Sequence, residues 1–461
     1  MVNTIDIHRP AYHFMPLSGW MNDPNGPIFY KGHYHIFYQH NPFRDTWGNI
    51  HWGHAQSKDT LHWEHQPIAL TPSPELGEKH CFSGCAVPGG VDSVNDVPAI
   101  LYTSVGEGER NSRSGAVQRL ARSADGKTWR QVPEPILTGA IHDEEIIEWR
   151  DPFIWREKEV WNLILGGSRR GYGCIARYCS ANLHDWNYRG ILFENKDYPF
   201  LECPNYLVFG ERALLFYSPG ADVVWHSGFI NSSGRFEVEQ SGVMDYSGRM
   251  GFYAPNTLLN DPSKRYITWG WIPEAARNGF PISGYCGALS LPRELSLDHN
   301  GRLLQKPVSE TESMFSAPSE QENLSLSGGE RKCQTRGREL EIRLKARCAP
   351  GDDFSLNVYR SPCGRENTAV RYSAATNEII LEKGLSTLAG EPAKDFQHSD
   401  VSGTGSELDL RIFLDHSIIE IFINGREAIT GRVYPTLKES EGISVSGRAA
   451  GIDVSIRTVI V

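Results

Sequence analysis

Three acidic residues of this chain stand in similar settings, each within two positions of a proline and each ahead of a strand-like run of apolar residues. Proline biases the preceding residue towards an extended backbone, so Pro24 would hold Asp23 at the edge of a sheet. Two carboxylates that face each other across a glycosidic bond can cleave it, one as nucleophile or base and the other as acid. The three acids and their neighbours are Asp23-Pro24, Arg150-Asp151-Pro152 and Glu202-Cys203-Pro204.

Asp23 is predicted to lie in a tight turn ahead of a β-hairpin. Asn25 and Gly26 tolerate left-handed conformations, and strand-like runs at residues 28–30 and 33–38 come next. An isolated aspartate in such a turn usually accepts hydrogen bonds from nearby backbone N–H groups and does no chemistry. A catalytic interpretation therefore depends on the fold bringing the three acids together.

The overall charge argues against two classes of partner. The 461 residues include 46 basic and 56 acidic side chains, which gives a net charge of -10. Nucleic acids and anionic membranes require a concentrated basic surface, so neither is an expected partner. The 12 Trp, 18 Tyr and 19 Phe residues suit an aromatic core and stacking on sugar rings.

The cysteines and the N-terminal residues lead to expectations about cofactors and location. Nine cysteines without a second ligand pair at suitable spacing predict no metal site, and no cofactor is expected. Pairs such as Cys81/Cys85 and Cys174/Cys179 are interpreted as unpaired buried thiols in a reducing compartment. No apolar run of about 18 residues that could span a membrane is present. Residues 1–9 lack a signal-like pattern, so the chain as it reads predicts a cytoplasmic protein, or a secreted one if a signal has been removed.

A recurring short pattern predicts the fold class. Ser-x-Asp/Asn-x-x-x-Trp begins at Ser57, Ser123 and Ser180, and weaker turns of similar type begin at Asn231 and Asp298. Short strand-like runs without helical periodicity separate the copies. A period of about 50–65 residues predicts an all-β propeller with one four-stranded blade per repeat. Five turns therefore predict five blades within residues 1–308, the alternative being chance recurrence of a common hairpin turn.

A second domain is predicted after residue 308. Residues 309–325 are polar and rich in Ser and Glu, which is typical of a linker. Alternating strands follow, with Asn424-Gly425 as a hairpin turn, and predict a C-terminal β-sandwich at residues 326–461. Three polar residues within it are interpreted as surface or turn residues: Asp415, His416 and Glu420.

Taken together, these motifs resemble glycoside hydrolase family 32, the family of invertases, β-fructofuranosidases and fructanases. The likeness covers nearly the whole chain, and its motifs are specific in combination. The matching segments are Trp20-Met21-Asn22-Asp23-Pro24-Asn25-Gly26, Phe37-Tyr38-Gln39-His40-Asn41-Pro42, Trp47-Gly48-Asn49-Ile50-His51-Trp52-Gly53-His54, Phe82-Ser83-Gly84, Arg150-Asp151-Pro152, Glu202-Cys203-Pro204, Phe252-Tyr253-Ala254-Pro255, Leu291-Pro292-Arg293, Phe413-Leu414-Asp415 and Ile419-Glu420-Ile421-Phe422-Ile423-Asn424-Gly425.

The resemblance implies a retaining double displacement on a terminal fructofuranosyl unit. It assigns Asp23 as the nucleophile and Glu202 as the general acid and then the base, while Asp151 holds ring hydroxyls and stabilises the transition state. Retention predicts that the carboxyl groups of Asp23 and Glu202 lie about 5–5.5 Å apart. Seven further residues match family positions that surround the fructosyl unit: Asn22, Gln39, Trp47, Phe82, Ser83, Arg150 and Tyr253.

Hydrolysis of sucrose or terminal β-fructofuranosides is the activity expected first, and the sequence leaves alternatives open. A fructosyltransferase, or an exo-fructanase acting on inulin or levan, would use the same site. A sugar-binding protein without catalysis is disfavoured because all three acids are present. Gly251 and Asn256 stand where many relatives have Asp and Gln, and Cys85 stands where Ser is usual. By the resemblance, the first two positions lie where the family contacts the leaving group, so the preference between glucose and fructan leaving groups stays open. The sequence also leaves open whether the substrate is phosphorylated and how many chains assemble.

Overall fold

The structure of the protein, a computed structural model, describes residues 6–87, 97–106, 116–138, 143, 145–248, 251–274, 284–389, 396–400 and 407–460. Within these ranges nearly every element is a β-strand, with short 3-10 helices at Pro74–Leu76 and Ser309–Met314. None of the helices in the described ranges is long and apolar enough to cross a membrane.

Five antiparallel sheets, here called blades I to V, make up the part of the chain before residue 308. Blade I comprises β1 (Gly19–Tyr30), β2 (His33–Asn41), β3 (His51–Ser57) and β4 (Trp63–Leu70). Blade II comprises β5 (His80–Val87), β6 (Ala99–Val105), β7 (Ala116–Arg122), β8 (Arg130–Gln131) and β9 (Leu137–Thr138). Blade III comprises β10 (Ile146–Glu157), β11 (Val160–Arg169), β12 (Tyr172–Ser180) and β13 (Asn187–Asn195).

Blades IV and V complete the set. Blade IV comprises β14 (Glu202–Phe209), β15 (Arg212–Ser218), β16 (Val224–Ile230) and β17 (Phe236–Val243). Blade V begins with β18 (Tyr253–Leu258) and β19 (Tyr266–Ile272). The short β20 (Tyr285–Cys286) then leaves this blade to run parallel to β1 of blade I. The chain returns to blade V as β21 (Ala288–Leu289), β22 (Arg293–Leu297) and β23 (Leu303–Pro307).

The first strands of the five blades surround a common axis. β1 contacts β5, β5 contacts β10, β10 contacts β14 and β14 contacts β18, which in turn contacts β1 and closes the ring. The predicted five-bladed propeller is therefore confirmed. Because the inner strands meet at the axis, residues that are far apart in the sequence can share one pocket there.

The repeated turn joins the third and fourth strands of a blade. In blade I, Ser57 donates to Asp59 Oδ1 at 3.0 Å, and the same oxygen accepts the backbone N–H of His62 at 2.9 Å. Asp125 in blade II and Asn182 in blade III accept equivalent bonds from the residue three positions later. The repeat therefore supplies rigid connections at the outer strands of the blades.

The C-terminal strands form one ten-stranded sheet that folds back on itself. The strands are β24 (Glu320–Lys332), β25 (Glu339–Arg347), β26 (Asp353–Arg360), β27 (Asn367–Ser373), β28 (Glu378–Leu385), β29 (Phe396–Asp400), β30 (Glu407–Asp415), β31 (Ile418–Ile423), β32 (Glu427–Arg432) and β33 (Gly442–Thr458). The first half of β33 pairs with β26 and the second half with β25, so this strand belongs to both layers. Leu356 and Val370 of one layer share a core with Ile342 and Ile421 of the other. The predicted β-sandwich is confirmed.

Residues 309–325, predicted as a linker, include a short helix and the beginning of a strand. The 3-10 helix occupies Ser309–Met314, and β24 begins at Glu320. Met314 and Phe315 are buried against Phe413 and Phe422 of the sandwich, together with Leu258 and Trp269 of blade V. The two domains thus meet through a continuous apolar contact.

A buried ionic cluster lies at the same junction. Arg293 of β22 contacts Asp245 at 2.8 Å and Glu420 of β31 at 2.7 Å, and all three side chains are excluded from solvent. The imidazole of His13 lies between Glu420, at 3.0 Å, and Asp415, at 2.8 Å. The cluster therefore connects the N-terminal segment, blade V and the sandwich.

The interpretation of Asp415 and Glu420 as surface or turn residues is wrong. Glu420 bonds to residues of blade V and Asp415 to residues 11–13 of the N-terminal segment, so the partners of both lie more than a hundred positions away in the sequence. Burial alone would raise their pKa values, but His13 and, for Glu420, Arg293 hold the pKa of each carboxyl below its ordinary value. His416 does lie in the turn between β30 and β31, where its φ is 53°.

Replacing Arg293 with methionine is expected to destabilise the protein strongly. The change would leave Asp245 and Glu420 buried without their shared cation, and breaking such a pair costs about 3–5 kcal/mol. Equilibrium urea unfolding measures the loss. Lys345→Met, which breaks the exposed Lys345–Asp409 pair of the sandwich, is the matched control and should cost less than about 1 kcal/mol. Equal effects of the two changes would contradict a special role for the buried cluster.

Candidate active site

The first strands of all five blades share a local distortion close to where each strand begins. Each contains a β-bulge, and the segment at each bulge ends in proline or glycine. A bulge breaks the strict alternation of a strand and changes where its side chains point. At each bulge the segment consists of three residues. Asp151, Cys203 and Ala254 are the middle residues of their segments and have left-handed φ angles of 60°, 47° and 47°. The five segments are Asn22-Asp23-Pro24, Phe82-Ser83-Gly84, Arg150-Asp151-Pro152, Glu202-Cys203-Pro204 and Tyr253-Ala254-Pro255.

The turn predicted at residues 20–26 is instead part of strand β1. The stretch pairs with β2 through two bulges, one between Met21 and Pro24 and one between Asn25 and Ile28. The presence of β2 as a partner overrides the turn propensity of Asn25 and Gly26, and the sequence alone does not reveal that partner. Asp23 therefore lies in a bulged inner strand, partly exposed to a cavity at the axis.

A cavity of about 500 Å³ opens at this bulged end of the propeller. All ten site residues predicted from the sequence line it, with at least one from each blade. Trp20, Cys203 and Trp271 complete the lining. No group of three or more His, Cys, Asp or Glu side chains within the described ranges is arranged to hold a metal ion. The lining residues are Trp20, Asn22, Asp23, Gln39, Trp47, Phe82, Ser83, Arg150, Asp151, Glu202, Cys203, Tyr253 and Trp271.

Asp23 is held by donors on both of its carboxylate oxygens. Ser83 Oγ donates to Oδ2 at 2.5 Å, and Asn22 Nδ2 donates to Oδ1 at 3.1 Å. Asn22 is itself oriented, because its Oδ1 accepts a bond from Trp20 Nε1 at 2.7 Å. Burial raises the pKa of Asp23, the bonds from Ser83 and Asn22 counteract this, and the charge of Glu202 adds to the rise. The site thus fixes the position of a carboxylate while limiting its hydration.

Asp151 and Cys203 lie next to each other in the lining of the cavity. The backbone N–H of Cys203 donates to Asp151 Oδ2 at 3.1 Å, and the Asp151 N–H donates to Thr103 Oγ1 at 3.0 Å. Cys203 Sγ lies 3.6 Å from both Asp151 Oδ2 and Asp23 Oδ2. Burial, together with the charges of Asp151 and Asp23, raises the pKa of the Cys203 thiol, which therefore stays protonated and donates to one carboxylate at a time.

Glu202 is oriented by two side chains from neighbouring blades. Arg150 Nη2 donates to Oε1 at 2.8 Å, and the Tyr253 hydroxyl donates to Oε2 at 2.6 Å. Arg150 also contacts Glu148 at 3.2 Å. Because both oxygens of Glu202 have a partner, its carboxyl group is held in one orientation towards the cavity.

Aromatic rings form the cavity walls. Trp47 lies in the connection between β2 and β3, with its ring centroid 6.2 Å from that of Phe82. Trp20 and Trp271 are 5.8 Å apart on another side. Trp271 was not singled out from the sequence, because it reaches the cavity only through the pairing of its strand β19 with β18, where its register partner is Tyr253. Rings with polar groups between them suit a sugar, whose faces are apolar and whose edges carry hydroxyls.

The residues that depart from the family pattern do not line the cavity. Gly251 packs against the second domain, where an added Cβ would lie 2.2 Å from the carbonyl oxygen of Thr430. Asn256 is buried and donates to the carbonyl oxygen of Gly84 at 2.8 Å. Cys85 is buried in the core of blades II and III. The described contacts of these residues are therefore structural.

Replacing Asp151 with asparagine is expected to change how stability depends on pH. Burial raises the pKa of Asp151 to about 7, the Arg150 guanidinium opposes the rise, and the charges of Glu202 and Asp23 add to it. In the unfolded chain the pKa is about 3.9. The folded protein therefore binds the proton of Asp151 more tightly than the unfolded chain does. The contribution of Asp151 to the free energy of unfolding consequently declines as the pH rises from about 4 to about 7.

Asp151→Asn removes that contribution, so its unfolding free energy should fall less over this range than that of the parent. Urea unfolding of both proteins at about pH 5 and about pH 7.5 measures the difference. Parallel profiles for the two proteins would contradict a protonated Asp151 at mildly acidic pH.

Sequence and structure comparisons converge on one family. Residues 13–307 match the profile described as "Glycosyl hydrolases family 32 N-terminal domain", and residues 303–459 match "Glycosyl hydrolases family 32 C terminal". The chain is 32% identical to the sucrose-6-phosphate hydrolase of Escherichia coli over 94% of this chain and 90% of that protein. It is 29% identical to the levanase of Bacillus subtilis, over 98% of this chain and 70% of that protein. The structure of fructan 1-exohydrolase IIa from Cichorium intybus in complex with 1-kestose is similar with a TM-score of 0.85 and 26% identity, covering 99% and 98% of the two chains.

Proposed function

Because this chain belongs to glycosyl hydrolase family 32, we propose that it is a retaining β-fructofuranosidase that hydrolyses sucrose or terminal β-fructofuranosides. The observation that carries the proposal is the meeting of Asp23, Asp151 and Glu202 in one cavity walled by aromatic rings. A double displacement requires two catalytic carboxyl groups, one that acts as nucleophile and one that donates and accepts a proton.

In the first step, a carboxylate oxygen of Asp23 attacks the anomeric carbon of the fructosyl unit. Glu202 gives its proton to the glycosidic oxygen, so the bond breaks and the leaving sugar departs as an alcohol. The product of this step is an ester between Asp23 and the fructosyl unit. The bonds from Ser83 and Asn22 hold Asp23 in the orientation for attack.

In the second step, water replaces the leaving sugar. Glu202, now ionised, takes a proton from this water while the water oxygen attacks the anomeric carbon. The ester bond breaks, fructose leaves with its original configuration, and Asp23 returns as a carboxylate. Asp151 holds ring hydroxyls in both steps and, in its ionised form, stabilises the oxocarbenium-like transition state through its charge.

The charges of the cavity favour a neutral substrate over a phosphorylated one. Arg150 is the one Lys or Arg among the described residues that line the cavity, and its guanidinium already contacts Glu202 and Glu148. Phosphate recognition generally uses free Arg or Lys donors. We therefore favour sucrose and fructans as substrates, with sucrose 6-phosphate as the second candidate because relatives carry that name.

A substrate panel read by NMR tests the proposal. Sucrose, sucrose 6-phosphate, inulin and levan are each incubated with the enzyme, and the anomeric configuration of the first fructose released is recorded. We expect fructose with retained configuration from at least one neutral substrate. Oligosaccharides as the main products at high sucrose concentration would identify a transferase, whereas binding without turnover of every substrate would identify a sugar-binding protein.

A further inference from the structure

A second cavity, of about 660 Å³, lies between blade I and the sandwich. One wall is the N-terminal segment at residues 9–15, and the facing wall is the end of β3, the repeated turn of blade I and the start of β4. Met314 and Val459 close it on the side of the sandwich. None of the catalytic or binding residues described above lines this space, which we call the strap cavity.

Both walls of the strap cavity are rigid. The Asp415 carboxylate of the sandwich accepts the backbone N–H groups of Ala11, Tyr12 and His13 at 2.6–2.9 Å. On the facing wall, Asp59 holds the repeated turn through the bonds to Ser57 and His62 described above. The cavity is therefore preformed, as binding sites for small molecules usually are.

The rings in the strap cavity come from both walls. Tyr12 and Phe14 of the N-terminal segment and Trp63 of β4 are all partly exposed. Phe14 contacts Trp63 edge to face, with centroids 5.8 Å apart, and packs at 5.1 Å on the imidazole of His65. Aromatic surface beside polar side chains is also the composition of the catalytic cavity.

The polar groups of the strap cavity suit a neutral ligand. Arg9 and Lys58 are balanced by Asp59 and Glu64, and the charge of His13 is balanced by Asp415 and Glu420 behind the wall. Burial and the nearby charge of Arg9 lower the pKa of His65, so its imidazole is uncharged at neutral pH and can donate and accept hydrogen bonds. With no surplus of either charge and with planar hydrogen-bonding groups beside aromatic rings, the site matches a polyhydroxylated chain better than an anion or a peptide.

The equivalent tryptophans of the other blades differ from Trp63. Trp129 of blade II is buried against Phe37. Trp186 of blade III donates its Nε1 hydrogen to the carbonyl oxygen of Leu183 at 3.1 Å and packs against the blade core. Trp63 also packs on Trp269 of blade V, with ring centroids 6.1 Å apart, but of the three tryptophans it is the one that lines the strap cavity.

We propose that the strap cavity is a non-catalytic binding site for a fructan chain, a neutral polymer of fructosyl units. The proposal rests on the proposed function, since it assumes that the enzyme acts on fructosides. A chain bound here is kept near the catalytic cavity of the same molecule, which raises the effective concentration of its ends there. The site would then favour polymers over sucrose without touching the reacting bond.

Affinity electrophoresis in gels containing levan or inulin tests binding. The Asp23→Asn background keeps the polymer intact, and Trp63→Ala is introduced into it. We expect at least one polymer to retard the Asp23→Asn protein, and Trp63→Ala to raise the apparent Kd by about tenfold, the factor that 1.4 kcal/mol represents. No retardation of the Asp23→Asn protein, or equal retardation of both proteins, overturns the proposal.

Kinetics in the otherwise unaltered enzyme give an independent readout. Trp63→Ala should lower kcat/KM for the polymer by about tenfold and leave kcat/KM for sucrose within about twofold. Equal losses on both substrates overturn the proposal. Turnover of sucrose by the parent enzyme tests the proposed function separately. An active parent enzyme that does not bind the polymer would contradict the binding site proposed in the strap cavity and leave the proposed function intact.

Two further variants separate binding from folding. Trp186→Ala removes the same side chain from the equivalent turn of blade III and should leave polymer binding unchanged. Gln56→Ala with Glu64→Ala removes two bonded polar side chains from the cavity while the rings stay in place. This double variant should also weaken polymer binding. Unchanged binding would overturn the proposed role of the polar side chains in holding the polymer.

Discussion

Replacing Asp23 with asparagine is expected to abolish turnover, lowering kcat on sucrose by at least about 10⁴-fold, because no other group can form the ester intermediate. Asparagine has the same shape as aspartate and can still accept the bond from Ser83 Oγ, so the cavity should be unchanged. Initial rates of glucose release measure the effect. Near-normal activity would contradict the assignment of Asp23 as the nucleophile.

The same change should not destabilise the protein. Burial raises the pKa of Asp23, so the unfolded chain ionises at a lower pH than the folded one. At neutral pH the ionised carboxylate therefore opposes folding, and the neutral amide removes that opposition. We expect a melting temperature equal to or above that of the parent at pH 7. Asp125→Asn, in the exposed turn of blade II, is the matched control and should leave kcat unchanged.

Replacing Glu202 with alanine is expected to have the second largest effect. The loss of the general acid should lower kcat on sucrose by about 10²–10⁴-fold, because the leaving sugar must then depart without a proton. A fructoside with an acidic leaving group needs less protonation, so the first step on it should be much less affected. The ester with Asp23 should then accumulate, since no base activates the water, and a burst of leaving group measures this.

Added azide separates the two carboxylates. In Glu202→Ala, azide attacks the anomeric carbon of the ester, releases Asp23 and yields a fructosyl azide with the configuration of the substrate. In Asp23→Ala, azide replaces the nucleophile and yields the inverted product. NMR of the two azides distinguishes these outcomes, and inversion in both variants would argue against a double displacement. Tyr253→Phe, which removes one donor to Glu202, is the milder control and should retain part of the activity.

The three acids were recognisable from the sequence because each stands within two positions of a proline and ahead of a strand-like run. The five blades were predictable for a related reason, since the repeated turn is held by bonds among residues within three positions of each other. Both signals are local, so a single sequence carries them.

Residues whose position depends on strand pairing or on packing between domains were not recognisable. Trp271 reaches the cavity through the register of β19 on β18, and Glu420 is buried because the sandwich packs against blade V. Asp23 itself was expected in a turn, although pairing with β2 makes it part of a strand. The recurrence of a three-residue segment ending in Pro or Gly at each inner strand is a signal in the sequence that could have pointed to Cys203, the middle residue of its segment.

The five equivalent bulges have a consequence for how such a site can be altered. Asp151, Cys203 and Ala254 share one backbone conformation, yet one carries a carboxylate, one a thiol and one a methyl group. Three of the five inner strands therefore offer a left-handed backbone at this position to three different side chains, and the chemistry there is set by the side chain. In blade V this position holds the methyl group of Ala254, which is buried with Cys203, Tyr253 and Trp271, so a reactive side chain introduced there would have to displace these neighbours to reach the cavity.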